Sequence, residues 1–161
     1  AGYEKNLLKY SSYIEDTIYC NDRSYGNFES SGWNENGGNT NTYLQFKEYS
    51  VTSDLSCTKQ TDQFSTSNES AKLKYPIGLA TAAELNLLNS GEVRATGTTY
   101  WIISPVTFNN NLANQRFIDS SGGENYSSNT AVRGVRPVIS LKPGTKYIDG
   151  DGSKNNPYKI N

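Results

Sequence analysis

Side chains able to do covalent or metal chemistry are scarce in this chain. It has no histidine, so neither a Ser-His-Asp nor a Cys-His nucleophile can be assembled, and no imidazole-based metal centre can form. The two cysteines, Cys20 and Cys57, lie in polar surroundings, "IYCNDRS" and "DLSCTKQ", outside any CxxC motif. With a composition of secreted type they read as a disulfide, whose loop would add roughly 3–4 kcal/mol on the chain-entropy estimate. The alternative is two unpaired, inert thiols. Two carboxylates flanking a cleft could still hydrolyse a glycoside, but the acids fall mostly in loops, and Glu15 and Asp16 read as the solvated face of a helix.

Three further stretches invite a chemical reading. "DGDGS" (149–153) places Asp149 and Asp151 at the first ligand spacing of a calcium loop. Its glycine comes at position four rather than six and no glutamate stands at twelve, so a turn is expected and no metal site. "TFNNNLANQRF" (107–117) reads as a polar loop after the apolar run "YWIISP". Its amides suit sugar hydroxyls, and Trp101 could supply a stacking face. Asn109, Asn110, Asn111, Trp101 and Arg116 therefore make up the candidate ligand-binding set, with core Trp101 and a plain Asn turn as the alternative. In "AVRGVRPVISL" (131–141) the arginines, three apart, point to opposite faces of an extended chain. Val135, Pro137, Ile139 and Leu141 then read as the core face of a closing strand, and Arg136 as an ion-pair or loop-anchoring residue.

The composition says where such a chain works. Of its 161 residues 34% are hydrophobic and 19% charged, and its polarity comes from Asn, Ser, Thr and Gly, with twelve tyrosines. That differs from charged, aromatic-poor disorder and fits a β-rich extracellular module. A net charge of −1, from scattered basic residues, offers no footprint for nucleic acid or an anionic membrane. No apolar run approaches the ~20 residues of a membrane span. With no Met in it, the chain is expected to be a fragment of a longer surface protein with its anchor and flanking domains elsewhere, and the whole of 1–161 is expected to be one domain.

The elements that would position these residues are legible in places. Tyr3, Leu7, Tyr10, Ile14 and Ile18 recur at helical spacing. Residues 21–41 are rich in Asn and Gly, as a long loop is, and 42–51 alternate like a strand. Pro76 to Ala80 reads as a short strand leading into Thr81, a helix N-cap with Glu84 three residues on. That is a capping box, with Leu85 and Leu88 as the buried stripe and "NSG" as the stop. Thr98 to Pro105 is expected to be a central strand ending at the proline, 114–119 a half-buried strand, and 120–129 a hairpin loop. Two helices and a run of short strands without βαβ alternation point to an α+β fold, the helices packed on an antiparallel sheet with long loops.

"CNDRS" (20–24), "YPIGLATAAEL" (75–85), "YWIISP", "GVRPVISL" and the closing "GDGSKNNPYKI" (150–160) together resemble the C-type-lectin-like domain of surface proteins from gut Firmicutes. That domain is distantly similar to the fold of the formylglycine-generating sulfatase-modifying factors. The resemblance implies a C-type-lectin-like fold and a bacterial cell-surface location rather than an activity. The formylglycine enzymes work through cysteines late in their domain, whereas both cysteines here lie in the first 57 residues, which argues against an enzyme. Calcium-dependent members use acidic and Asn side chains in the loop before the last strands. Here that loop, 106–130, has Asp119 and Glu124 as its acids, and no cofactor is expected. The function these features imply is non-catalytic binding or adhesion, to a glycan or a surface protein, through loops 106–114 and 120–130. The alternative is a structural pilus or cell-wall subunit whose partners are flanking domains.

Overall fold

In a computed structural model the chain is described over residues 2–24, 43–45, 55–88, 91–109, 112–153 and 155–160. It is a mixed α/β chain with few helices and mostly strands, arranged in small sheets. The helices are α1 (Gly2–Asn6), α2 (Ala82–Asn86) and α3 (Gly91–Arg94). The longest strands, β6 (Tyr100–Asn109), β7 (Leu112–Ile118) and β8 (Glu124–Ser128), form an antiparallel meander.

β7 pairs along one edge of β6. Two short strands share the other edge: β3 (Tyr43–Gln45) antiparallel at the far end and β9 (Gly134–Val135) parallel at the start. Of the expected strand 42–51, only β3 lies within the described residues. β6 does not end at Pro105. Its register with β7 shifts between Trp101 and Pro105 and again before Thr107, an irregularity that accommodates a residue without an N–H inside a strand. The displaced groups find partners elsewhere. The Ile103 N–H donates to the Ala80 carbonyl at 2.9 Å, and the Gln115 side-chain amide donates to the Ile102 carbonyl at 2.6 Å.

Helix α2 docks against this irregular stretch. Thr81 is its N-cap and forms the expected capping box with Glu84. The Ser104 hydroxyl accepts the N–H of Ala82 at 2.8 Å, fully buried. Around this junction lies the core cluster of Ala80, Ala82, Leu85, Tyr100, Ile102 and Ile118, with Val138 against it. Leu88, expected in the same stripe, is exposed, because the helix ends at Asn86 before it completes a second turn.

The N-terminal helix is much shorter than the spacing of apolar residues predicts. After α1 the chain tightens into a 3-10 helix at Leu8–Tyr13 and then extends as β1 (Ile14–Glu15) and β2 (Tyr19–Cys20). Ser11 and Ser12 compete locally for backbone bonds, and Ile14, Thr17 and Ile18 are β-branched, so extension wins over helix. Tyr3 and Ile14 are buried, but Tyr10 and Ile18 are exposed. Asp16 is not on a solvated helix face, since it accepts the Thr66 N–H at 2.9 Å. Burial pushes its carboxyl upward, but the bonds from Thr66 and Ser67 outweigh that and hold it below the usual range.

The segment 131–141 is not one closing core strand. After β9 it pairs two residues at a time with different partners: β10 (Pro137–Val138) with β5 (Gly78–Leu79), then β11 (Ser140–Leu141) with β1. Val135 and Leu141 are exposed, and it is Val138, expected on the opposite face, that meets the core. Each two-residue pairing redirects the chain, so strict alternation along 131–141 does not carry through. Arg136 anchors a loop as expected, donating to the carbonyls of Val93 and Arg94 and to the Tyr100 hydroxyl.

Cys20 and Cys57 form a disulfide across 37 residues of sequence, their Cα atoms 5.9 Å apart. β2 pairs with β4 (Gln63–Phe64) beside it. Gly78 lies under the Tyr19 ring so closely that a Cβ there would stand 2.3 Å from it, leaving room only for glycine. Last in the chain, β12 (Tyr147–Asp149) and β13 (Lys159–Ile160) pair, among the described residues, with each other alone.

Two outcomes test these junctions. Ser104→Ala strands the buried Ala82 N–H and should lower stability by about 1–3 kcal/mol, read as a fall in Tm of several degrees. An unchanged Tm would show that the helix does not depend on that bond. Glu4, bonded first by the Tyr75 hydroxyl and then by Lys74, is lowered from 4.5 to about 2. Because its folded value is depressed, its contribution is present above pH 4.5 and fades as pH falls towards 2. The stability gap between wild type and Glu4→Gln should therefore close across that window, and a gap independent of pH would contradict the assignment.

Candidate functional site

The five-stranded sheet has two unlike faces. Along β6, buried Tyr100, Ile102, Ser104 and Val106 alternate with half-buried Trp101, Ile103 and Pro105. Between Trp101 and Pro105 β6 advances four residues to two on β7, which keeps the alternation; one more extra residue before Thr107 reverses it, so Val106 and Thr107 are both buried. On β7, Arg116 and Ile118 share the buried face, while Gln115 and Phe117 lie on the half-buried one. The half-buried face is therefore where ring and amide side chains meet solvent.

At one end of this face stands an aromatic–cation cluster. Trp101 and Phe117, directly paired across the strands, meet edge to face with centroids 6.0 Å apart. The Arg133 guanidinium lies 3.5 Å from the Phe117 centroid and 5.1 Å from that of Trp101, and donates to the Ser127 hydroxyl of β8 at 2.8 Å. Trp101 is thus neither core nor a bare platform. One aromatic neighbour and one cation already engage it, and the cation–π contact fixes Arg133 over the sheet.

Further along the same face is a cavity of about 180 Å³. Ile103, Pro105 and Phe108 of β6 give it apolar walls, and Asn114 and Gln115 of β7 add amides. Asn21 and Arg23 close it from the segment after β2. Arg23 is held rigidly. Its Nε and Nη2 bond to Asp62 Oδ1 at 2.8 and 2.6 Å, Nη2 also donates to the Thr61 carbonyl, and its backbone N–H donates to Asp62 Oδ2. Asp62 is almost wholly buried, so this pairing compensates a carboxylate that has no access to water.

The candidate residues fall in different places. The stretch 107–117 is not a loop: β6 runs through Asn109, which pairs with Leu112 at the start of β7. Asn110 and Asn111 lie outside the described residues. Arg116 points away from the half-buried face, is buried, and is ion-paired with Glu124 of β8. Loop 120–130 likewise contains strand β8 at Glu124–Ser128, with turns on either side. Its first turn is closed by Asp119, whose Oδ1 accepts from the Ser121 hydroxyl and from the N–H groups of Ser121 and Gly123. The Ser121 hydroxyl above all, with the Gly123 N–H, lowers its carboxyl. Both acids of 106–130 thus have structural partners. At the tail, Asp149 bonds to Lys159 and the Gly150 N–H, and Asp151 to the Ser153 N–H, so 149–153 is a turn. Among the described residues no three His, Cys, Asp or Glu side chains are placed to hold a metal ion, and no helix is long and apolar enough to cross a membrane.

Two features of the site had no signal of their own in the sequence. Arg133 was legible as a charge, but its seat over Phe117 depends on β9 running parallel beside β6. Arg23 and Asp62 are 39 residues apart and meet because β2 and β4 pair at the disulfide. The chain matches no family model, no curated protein and no solved structure.

The Arg116–Glu124 pair generates a direct test of its role. Arg116→Ala leaves Glu124 charged on the buried face and should cost about 3 kcal/mol, as should Glu124→Ala. Replacing both with apolar residues of similar volume should cost less than either single change. If Arg116→Ala leaves Tm unchanged, the pair is not structural and the arginine regains its candidacy as a ligand contact.

Proposed function

We propose that the chain is a non-catalytic extracellular binding module of the C-type-lectin-like kind, taking a glycan or a surface protein on the half-buried face of β6 and β7. One observation carries this: that face runs from the Trp101–Phe117–Arg133 cluster to an amide-lined cavity, with Trp101, Phe117, Asn114 and Gln115 on hydrogen-bonded strands. Side chains held by a sheet lose little freedom on binding, which favours recognition over adaptation. Asn109, paired with Leu112, stands at the end of the same two strands. The disulfide fits an oxidising location outside the cell.

A second reading, a structural pilus or cell-wall subunit, is favoured by the terminal hairpin. Tyr147, Ile148 and Tyr158 are 62%, 67% and 57% exposed there, and among the described residues the two strands pair only with each other. A two-stranded hairpin is marginal by itself, so a neighbouring copy or flanking domain would complete it.

A screen of immobilised glycans and surface proteins separates the two. The binding module gives saturable capture that weakens at least several-fold on Trp101→Ala or on replacing Asn109–Asn111. A blank screen, together with concentration-dependent self-association lost on Ile148→Asp, would overturn it in favour of the subunit.

A further inference from the structure

We infer that the cavity between β6, β7 and Arg23 takes an acetamido group, and that the ligand class is an N-acetylated sugar, an assignment that rests on the binding role proposed above. The polar groups around the cavity are divided in a specific way. Arg23 commits Nε and Nη2 to Asp62 and Thr61, leaving Nη1 with its two N–H donors on one wall. Asn114 and Gln115, on the β7 side, commit their amide nitrogens, the first to the Thr107 hydroxyl at 2.8 Å and the second to the Ile102 carbonyl at 2.6 Å. That leaves two amide oxygens as acceptors on this side, and Asn21 Oδ1, buried without a hydrogen-bond partner, adds a third beside Arg23. Between donor and acceptors lie Ile103, Pro105 and Phe108.

A secondary acetamide matches all three. Its carbonyl accepts from Arg23 Nη1, its N–H donates to one of the amide oxygens, and its methyl group meets the apolar side chains. A carboxylate matches poorly, because Asp62 already compensates the guanidinium and the two amide oxygens would face a second anion. A plain hexose has hydroxyls for the polar groups but nothing for Ile103, Pro105 and Phe108. An acetylated lysine carries the acetamide but no neighbouring hydroxyl for the second amide oxygen, whereas an acetamido sugar has hydroxyls on both adjoining ring carbons. At about 180 Å³ the cavity is below the usual range for drug-sized ligands, as suits one substituent of one ring rather than an oligosaccharide buried whole. The site requires no metal ion.

The test is a titration of the isotope-labelled, disulfide-intact chain with N-acetylglucosamine, glucose and Nε-acetyl-lysine, followed by amide NMR shifts. The expected result is saturable shifts at Ala113, Asn114 and Gln115 with N-acetylglucosamine, and affinity at least roughly tenfold weaker for the other two, the equivalent of one or two lost hydrogen bonds. Ala113→Trp, which fills the cavity from its rim, should abolish the shifts. If that variant does not give a folded spectrum, Asn114→Ala should still weaken binding several-fold. Equal binding of glucose, equal binding of Nε-acetyl-lysine, shifts that map away from these residues, or no shifts at all would each overturn the assignment. A glycan captured in the screen above through Trp101, without an acetamido group, would overturn the cavity's role while leaving the binding module intact. A blank in both would remove both.

Discussion

The rest of the molecule depends on how β6 satisfies its own backbone. The strand must cross the sheet's centre while carrying Pro105, which has no N–H to give. The register with β7 therefore slips twice, and each group released by the slip is turned to use. The Ile103 N–H fastens the segment before α2, the Ser104 hydroxyl caps that helix, and the orphaned Ile102 carbonyl draws in the Gln115 side chain. Buried polar groups left unpaired are costly, so these three bonds form as a set. The same irregularity thereby docks the helix on one face of the sheet and shapes the cavity on the other.

The parts legible in the sequence are those decided over a few residues. The capping box at Thr81 and Glu84, the apolar core of β6 and the alternation of Arg116 and Ile118 all follow from local pattern, and each is found. The N-terminal helix failed where Tyr3, Leu7, Tyr10, Ile14 and Ile18 kept the right spacing but serines and β-branched residues lay between them. The stretch 131–141 failed for a different reason. It exchanges partners from β6 to β5 to β1 within eight residues, and no single period describes a chain that changes sheets. The asparagine run at 109–111 reads as a loop because its residues favour turns, yet Asn109 belongs to β6 and pairs with Leu112.

The arginines show most clearly what a sequence hides. Arg23, Arg116, Arg133 and Arg136 carry the same side chain and do four different things. One compensates a buried carboxylate beside a cavity, one is ion-paired within the sheet, one lies over two aromatic rings, and one holds the end of α3. The planar guanidinium permits all four because it offers several donors in fixed directions and a flat face. Which role falls to which residue is set by strand pairings between segments distant in sequence. Arg116 was a reasonable ligand candidate by type and neighbourhood, and its inward direction follows from a register with β8 that only the folded sheet defines.

Apart from Tyr19 of β2, buried against Gly78, the wall of the cavity formed by Asn21 and Arg23 is held by covalent and polar bonds. β2 and β4 are two residues each, too short to hold a segment by pairing alone. What holds them is the Cys20–Cys57 bond immediately before Asn21, together with the Asn21 N–H on the Asp62 carbonyl at 2.9 Å and the Arg23–Asp62 pair. Constraining the 37-residue separation is worth about 4 kcal/mol on the chain-entropy estimate, more than either short strand contributes. Reduction would therefore act first on this wall and only later on β6 and β7, whose ladder does not pass through the cysteines. The proposed binding surface is divided accordingly, into a half built on the β6–β7 ladder and a half whose position leans on the disulfide. A module arranged in this way is suited to work where thiols are oxidised.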